Sequence, residues 1–296
     1  MGAEKPEGSI SAEAKAHSIG GQALMEGVMM RSPARWAVAV RRPEGVIHVE
    51  SHPVPSAGRT YPAGVRGVVA LGEAMSIGMR ALSISARQSS GSDDPPSRGE
   101  IAGAMAVSFV AFIVLFVVIP ALVAGRGGGD RDPLRNLAEG GLRIGILLAY
   151  ILLISRMRDI RRVFQYHGAE HKVIAAREAG ADATVDGVRP FSTIHVRCGT
   201  NFLFLVMMLS VGVFSVVGRD PLWWRLLSRV LLVPVVAGLA YELLRIAARR
   251  PRNPLVRLIT LPGLALQRIT TREPDDDQVL VALAAMRELE SASGNG

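Results

Sequence analysis

IAGAMAVSFVAFIVLFVVIPALVAG, residues Ile101 to Gly125, contains no charged side chain. A helix rises about 1.5 Å per residue, so this stretch is long enough to cross a bilayer core of about 30 Å. It decides the fold class, because backbone in lipid must satisfy its own hydrogen bonds and an uninterrupted apolar run of this length can do so only as a helix. Working outward, Leu137–Ser155 is a second apolar segment, Phe202–Gly218 a third and Leu226–Leu244 a fourth. Glu139 and Arg143 stand four apart at the outer end of the second, a spacing that lets them pair on a helix. Arg156, Arg158, Arg161 and Arg162 follow the second segment, and Arg245, Arg249, Arg250 and Arg252 follow the fourth. Cations at those ends predict cytoplasmic returns, and hence a multi-pass protein of the inner (cytoplasmic) membrane with both termini in the cytoplasm.

Composition agrees with a membrane class: 49% of residues are apolar and 20% charged. The net charge of +8 is spread along the chain, and aromatic residues are only 5%. Neither a basic helix nor a stacking platform is visible, so the charge is read as membrane topology and not as nucleic-acid binding. The first hundred residues carry no early apolar core, so no secretory signal is expected. A single cysteine, Cys198, excludes an internal disulfide.

The fold expected is mainly α, with about four transmembrane helices and a small α+β cytoplasmic portion. Residues 1–18 read as a disordered tail and 19–98 as a cytoplasmic N-terminal region. Within that region Gly20–Pro33 is Gly- and Met-rich, read as a buried turn or a functional loop around the lone acid Glu26. Trp36–Val40 and Val46–Glu50 alternate about the turn residues Arg41–Gly45 and predict a β-hairpin. Apolar residues at helical spacing over Gly64–Ser85 predict an amphipathic helix on the domain or membrane surface. The first membrane hairpin is assigned to 99–155, a cytoplasmic loop to 156–199, with Val188–Val196 extended, and the second hairpin to 200–246. A cytoplasmic amphipathic tail follows at 247–296, its last helix opened by Asp275–Asp277, acids placed to cap an N-terminus. Glu242 is expected to pair with Arg245.

Chemistry concentrates in Tyr166–Lys172, YHGAEHK. On a helix, at about 100° per residue, Glu170 lies about 60° to one side of His167 and His171 about 40° to the other, so all three share a face. His-x-x-Glu-His is the inverted zincin order: two imidazoles one turn apart bind zinc and the carboxylate polarises a water. A catalytic zinc also needs a third protein ligand, for which His195, Cys198, Glu178 and Glu26 are candidates. If His195 and Cys198 both bound with His167 and His171, the site would be closed and structural. The plain alternative makes the histidines interfacial polar residues, hydrogen-bonded to Glu170 or to headgroups, with Lys172 drawn to anionic lipid and Cys198 a packed thiol. Arg197 is either an anion ligand or a membrane-flanking cation.

Four ordered motifs, Gly20–Ala23 with Met25–Arg31, Tyr166–Lys172, Arg197–Thr200, and Pro262–Leu264 with Gln267 and Thr270–Thr271, make the chain similar to the YqhQ-like bacterial membrane proteins, a family of unknown function. The resemblance covers nearly all of the chain after residue 18. It implies a multi-pass protein of a kind labelled a predicted metal-dependent enzyme, and it supplies no substrate.

Two functions are therefore carried forward. One is a membrane hydrolase with a divalent metal, zinc by its ligand types, held by His167, His171 and one or both of His195 and Cys198, with Glu170 as base. The other is a scaffold or regulator whose His/Glu cluster is a structural metal site or a hydrogen-bonded corner. Glu26, Arg31, Lys172 and Arg197 complete the candidate site. Besides the lipid bilayer, a cytoplasmic protein partner and self-association stay open. A transporter is the weakest reading, since few ionisable residues fall within the spans.

Overall fold

Strand β1, Gly20–Leu24, turns through Met25 and Glu26 into β2, Gly27–Arg31. Strands β3, Arg35–Arg41, and β4, Ile47–Pro53, continue it into a four-stranded antiparallel meander in chain order. This computed structural model describes residues 19–56, 59, 61–62, 65–91, 97–123, 133–195, 198–217, 221–249 and 253–294. The expected tail at 1–18, the glycine-rich turn 126–130 and Arg197 lie outside the described residues. The hairpin read at Trp36–Glu50 is β3 and β4, with Val38 opposite Glu50. The Gly- and Met-rich stretch is corrected from a buried turn or loop to a second hairpin, with Gln22 opposite Met29. Its own turn is only Met25–Glu26, and Glu26 sits there at φ 51°.

Period-two alternation explains how the sheet is covered on both faces. Val28, Met30, Ala37 and Ala39 face helices α5, Arg158–Glu178, and α10, Asp276–Gly294. Trp36, Val38 and Val40 face the opposite way, onto Ile77 and Ala81 of α1, Val65–Ser89. The N-terminal sheet and C-terminal helix thus share one core with the helix that carries the histidines. Asp275 caps α10: its carboxylate accepts from the Gln278 amide at 2.8 Å, and Gln278 Oε1 accepts from the Asp275 amide at 3.0 Å.

Helix α2, Arg98–Ile113, passes through a π-helical stretch, Val114–Val118, into α3, Ile119–Val123. The rest of the bundle is α4, Pro133–Ile154, α7, Gly199–Val216, α8, Leu222–Arg249, and α9, Pro254–Thr270. One helical turn, α6, Val185–Val188, lies between α5 and α7, and residues 189–195 form no strand, so the extended reading of Val188–Val196 is corrected over its described part. Among the described residues, four helices are long and apolar enough to cross a membrane: Val65–Ser89, Gly99–Val123, Leu137–Ile154 and Leu226–Ile246. The expected third span becomes α7, apolar over the shorter Gly199–Phe214, yet packed in the bundle through Met207 against Phe116, Leu147, Ile151 and Leu266.

Two expectations about charge are corrected by tertiary partners. Glu242 pairs with Arg66 of α1, not with Arg245 one turn away. Glu139 and Arg143 do pair, at 3.2 Å, but both are buried and Arg229 of α8 joins them at 3.4 Å. Pro120 has no N–H to bond the Phe116 carbonyl four residues back. That carbonyl instead accepts from Arg143 Nε at 2.8 Å.

Candidate metal centre

Helix α5 brings the two imidazoles together because they stand one turn apart, with ring centroids 4.4 Å from each other. Cys198, the N-cap residue of α7, completes a trio: the ligand atoms of His167, His171 and Cys198 all lie within 4.8 Å of one another. The thiol points at His167 Nε2 from 3.2 Å.

Backbone carbonyls fix which ring nitrogen faces inward. His167 Nδ1 lies 2.8 Å from the Thr270 carbonyl, and His171 Nδ1 lies 2.5 Å from the Thr193 carbonyl. A carbonyl can only accept, so each Nδ1 carries the proton and each Nε2 presents a lone pair. His171 Nε2 is buried and has no hydrogen-bond partner among the described residues. Metal-binding histidines are oriented in this manner, one nitrogen donating to a carbonyl and the other free to ligate. Burial holds both rings neutral, with His171 lowered to about 3 and further discouraged from protonation by His167. Burial also raises the Cys198 thiol to about 11, although the Thr200 hydroxyl and amide hydrogen-bond to its sulfur. The trio is therefore three neutral groups whose lone pairs converge, a set that fits a thiolate- and imidazole-binding cation such as zinc.

The glycine of the motif makes the first carbonyl contact possible. A Cβ on Gly168 would stand 2.0 Å from the Arg272 carbonyl oxygen, so any side chain there would push the 270–272 segment off α5. The segment is held at that distance by the Arg272 amide, which donates to the Phe164 carbonyl at 2.9 Å. Gln267 fixes the other flank, accepting from the His195 amide at 2.8 Å and donating to the His195 carbonyl at 2.9 Å. These supports explain the glycine, Gln267 and Thr270 of the sequence motifs.

Glu170 does not join the trio. It lies about 100° around the helix from His171, which turns it toward β1. Its Cγ and Oε1 come within 2.7 Å of where a Cβ of Gly21 would be, so the glycine leaves the space the carboxyl fills. Burial raises this carboxyl to about 8.

The remaining candidates fall elsewhere. His195 is beside the trio, its ring 5.7 Å from that of His171, but its Nε2 faces Glu178 at 3.6 Å. Lys172, expected at the lipid surface, is buried: Nζ donates to the Arg189 carbonyl at 2.8 Å and pairs with Glu273. Glu26 accepts from Arg162 through both oxygens, at 2.5 and 2.6 Å, and from the Tyr166 hydroxyl at 3.2 Å. Arg31 pairs with Glu73 of α1. The carbonyls of Thr193 and Thr270 were missed by sequence reasoning, and no signal could have found them, since every residue has a carbonyl.

The model of a family described as "Protein of unknown function (DUF1385)" matches residues 63–292. "Uncharacterized protein YqhQ" of Bacillus subtilis (strain 168) is 33% identical over 295 residues, covering 92% of each chain. No solved structure matches. Neither description mentions a metal or a reaction, so the expectation of a metal-dependent enzyme gains nothing from these similarities. On the extent of both matches, this membrane protein belongs to the DUF1385 family, together with the YqhQ-like proteins.

Proposed function

We propose that the protein is a metal-dependent hydrolase of the membrane surface, with zinc held by His167, His171 and Cys198. The observation that carries the reading is the pair of Nδ1-to-carbonyl contacts, which leave two buried Nε2 lone pairs and a thiol facing one point. With three protein ligands, a four-coordinate ion held there would keep one position open, the pattern of catalytic sites. A zinc ion supplies Lewis-acid chemistry at an ester, amide or phosphoester oxygen. The chain itself provides the thiol and the two oriented rings, and Glu170, once its side chain swings from Gly21 toward the trio, is the carboxyl that takes a proton from water and returns it to the leaving group. Burial raises this carboxyl to about 8, so the proton-accepting form the step needs prevails only above that pH.

The site faces the cytoplasm in this reading, since exposed Arg158 and Arg161 begin α5 directly after the span Leu137–Ile154. The membrane is then the cytoplasmic one, with both termini inside. A second reading is favoured by the nearness of His195: turned from Glu178 toward His171, it would close a His3Cys structural site in a scaffold or regulatory protein.

Glu170→Gln separates the two. For a hydrolase, the variant keeps about one zinc per chain and loses about 100-fold or more of turnover on ester, amide and phosphoester substrates presented in vesicles. A variant with full metal and undiminished turnover removes Glu170 as the base, and metal without hydrolysis in the parent chain favours the structural site.

A further inference from the structure

On the opposite side of the sheet from the histidines, α1 and the first turns of α2 line two clefts that share Ile101 and Met105 as a common wall. The first, about 500 Å³, is lined by Arg80 and Arg87 together with Trp36 and His52. The second, about 700 Å³, is lined by Met25, Met75, Met79, Leu82 and Phe109. Arg80 and Arg87 stand seven apart and so share one stripe of α1.

Like Arg158 and Arg161, and unlike six other arginines, those of this cleft meet no carboxylate among the described residues; what sets them apart is the apolar cleft beside them. Arg31, Arg41, Arg66, Arg162, Arg177 and Arg189 each meet a carboxylate. Arg80 and Arg87 have no carboxylate partner among the described residues, although Glu50 stands behind the cleft, 3.8 Å from His52. Ile101 and Met105 belong to the beginning of the span Gly99–Val123, which sets the shared wall at the depth where lipid headgroups give way to chains. Guanidiniums with no carboxylate partner among the described residues, beside an apolar cleft walled by adaptable thioethers, complement a molecule with an anionic head and a hydrocarbon chain.

The geometry points to a binding site for one anionic phospholipid of the surrounding bilayer, its phosphate on Arg80 and Arg87 and an acyl chain in the Met-lined cleft. This site shares no side chain with the histidine trio and stands or falls independently of the metal reading. Recognition is by paired cations at fixed spacing, not by general attraction to a charged surface.

Native mass spectrometry of the detergent-purified full chain, titrated with palmitoyl-oleoyl phosphatidylglycerol or the matching phosphatidylcholine, tests the site. The first phosphatidylglycerol binds about tenfold more tightly than phosphatidylcholine, as two interfacial cations supply. R80Q/R87Q brings the preference to within about twofold, whereas R158Q/R161Q, which removes two exposed cations elsewhere, leaves it in place. M79W, which fills the apolar cleft, weakens the first binding of both lipids. Met79 and Arg80 are exposed and Arg87 is half-buried, and none of the three belongs to the buried core. Absence of a preference in the parent chain, an equal loss in R158Q/R161Q, or unchanged affinity in M79W would each overturn the proposal.

Discussion

Two buried polar clusters occupy this protein, and they are satisfied in opposite ways. In the helix bundle, Glu139 accepts from Arg143 and Arg229, and Arg143 also donates to Ser210 at 3.0 Å and to the Phe116 carbonyl. Both guanidiniums lie over the Phe214 ring, 5.2 and 4.8 Å from its centroid. Charges of both signs meet there, and the chain supplies the partners. In the other cluster His167, His171 and Cys198 are all neutral, and their lone pairs face one another. What such a group lacks is a positive charge, which its own side chains do not provide. Opposite charges in mutual contact mark a structural tie between helices; converging lone pairs mark a place for a cation.

The comparison breaks most visibly at Glu139. E139A leaves two buried guanidiniums without their shared carboxylate and should cost about 3–5 kcal/mol, read as a lower unfolding temperature in detergent and a poor folded yield. A variant as stable as the parent would mean that the bundle cluster is not a tie.

Next is Gly168→Ala, which forces the Arg272 carbonyl away from α5. Overpacking of this kind costs about 1–3 kcal/mol. Since Thr270 orients His167, zinc affinity should also fall about 10- to 100-fold in a chelator competition. Full affinity in a folded G168A chain would show that the carbonyl contact does not position the ring.

How much of this was legible from the chain depends on whether the deciding contact is local. His167 and His171 share a helical face by spacing alone, and the long apolar runs and the β3–β4 hairpin follow from patterning. The same spacing put Glu170 on that face too, but its rotation of about 100° from His171 sends it to Gly21 of β1, a contact across about 150 residues that no local pattern encodes. Lys172 with Glu273 and Glu242 with Arg66 are likewise choices made by tertiary packing, where a near neighbour in sequence loses to a distant one in space. Cys198 was one of several candidates, and only the placement of α7's N-terminus against α5 singled it out.

The smallest effect sharpens the contrast from the surface side. Burial alone would raise Glu26, but its hydrogen bonds to Arg162 and Tyr166 and the Arg162 charge prevail and hold it below the usual carboxylate range. A carboxyl depressed in the folded state stabilises above its unfolded pKa, and the contribution disappears as pH falls through the folded value. E26Q should therefore cost about 1 kcal/mol or less at neutral pH, less again in high salt, and nothing well below pH 4. A cost of the same size at every pH would assign the loss to the Met25–Glu26 turn instead of the ion pair.

The central claim, that the neutral trio holds a metal, is tested most directly by inductively coupled plasma mass spectrometry of protein purified without chelators, beside H167A/H171A and C198S variants. The account predicts about one zinc or similar ion per chain in the parent, little in H167A/H171A, and a reduced and weakly held fraction in C198S. A folded parent chain with no stoichiometric metal, or a double-histidine variant with undiminished metal content, would contradict it.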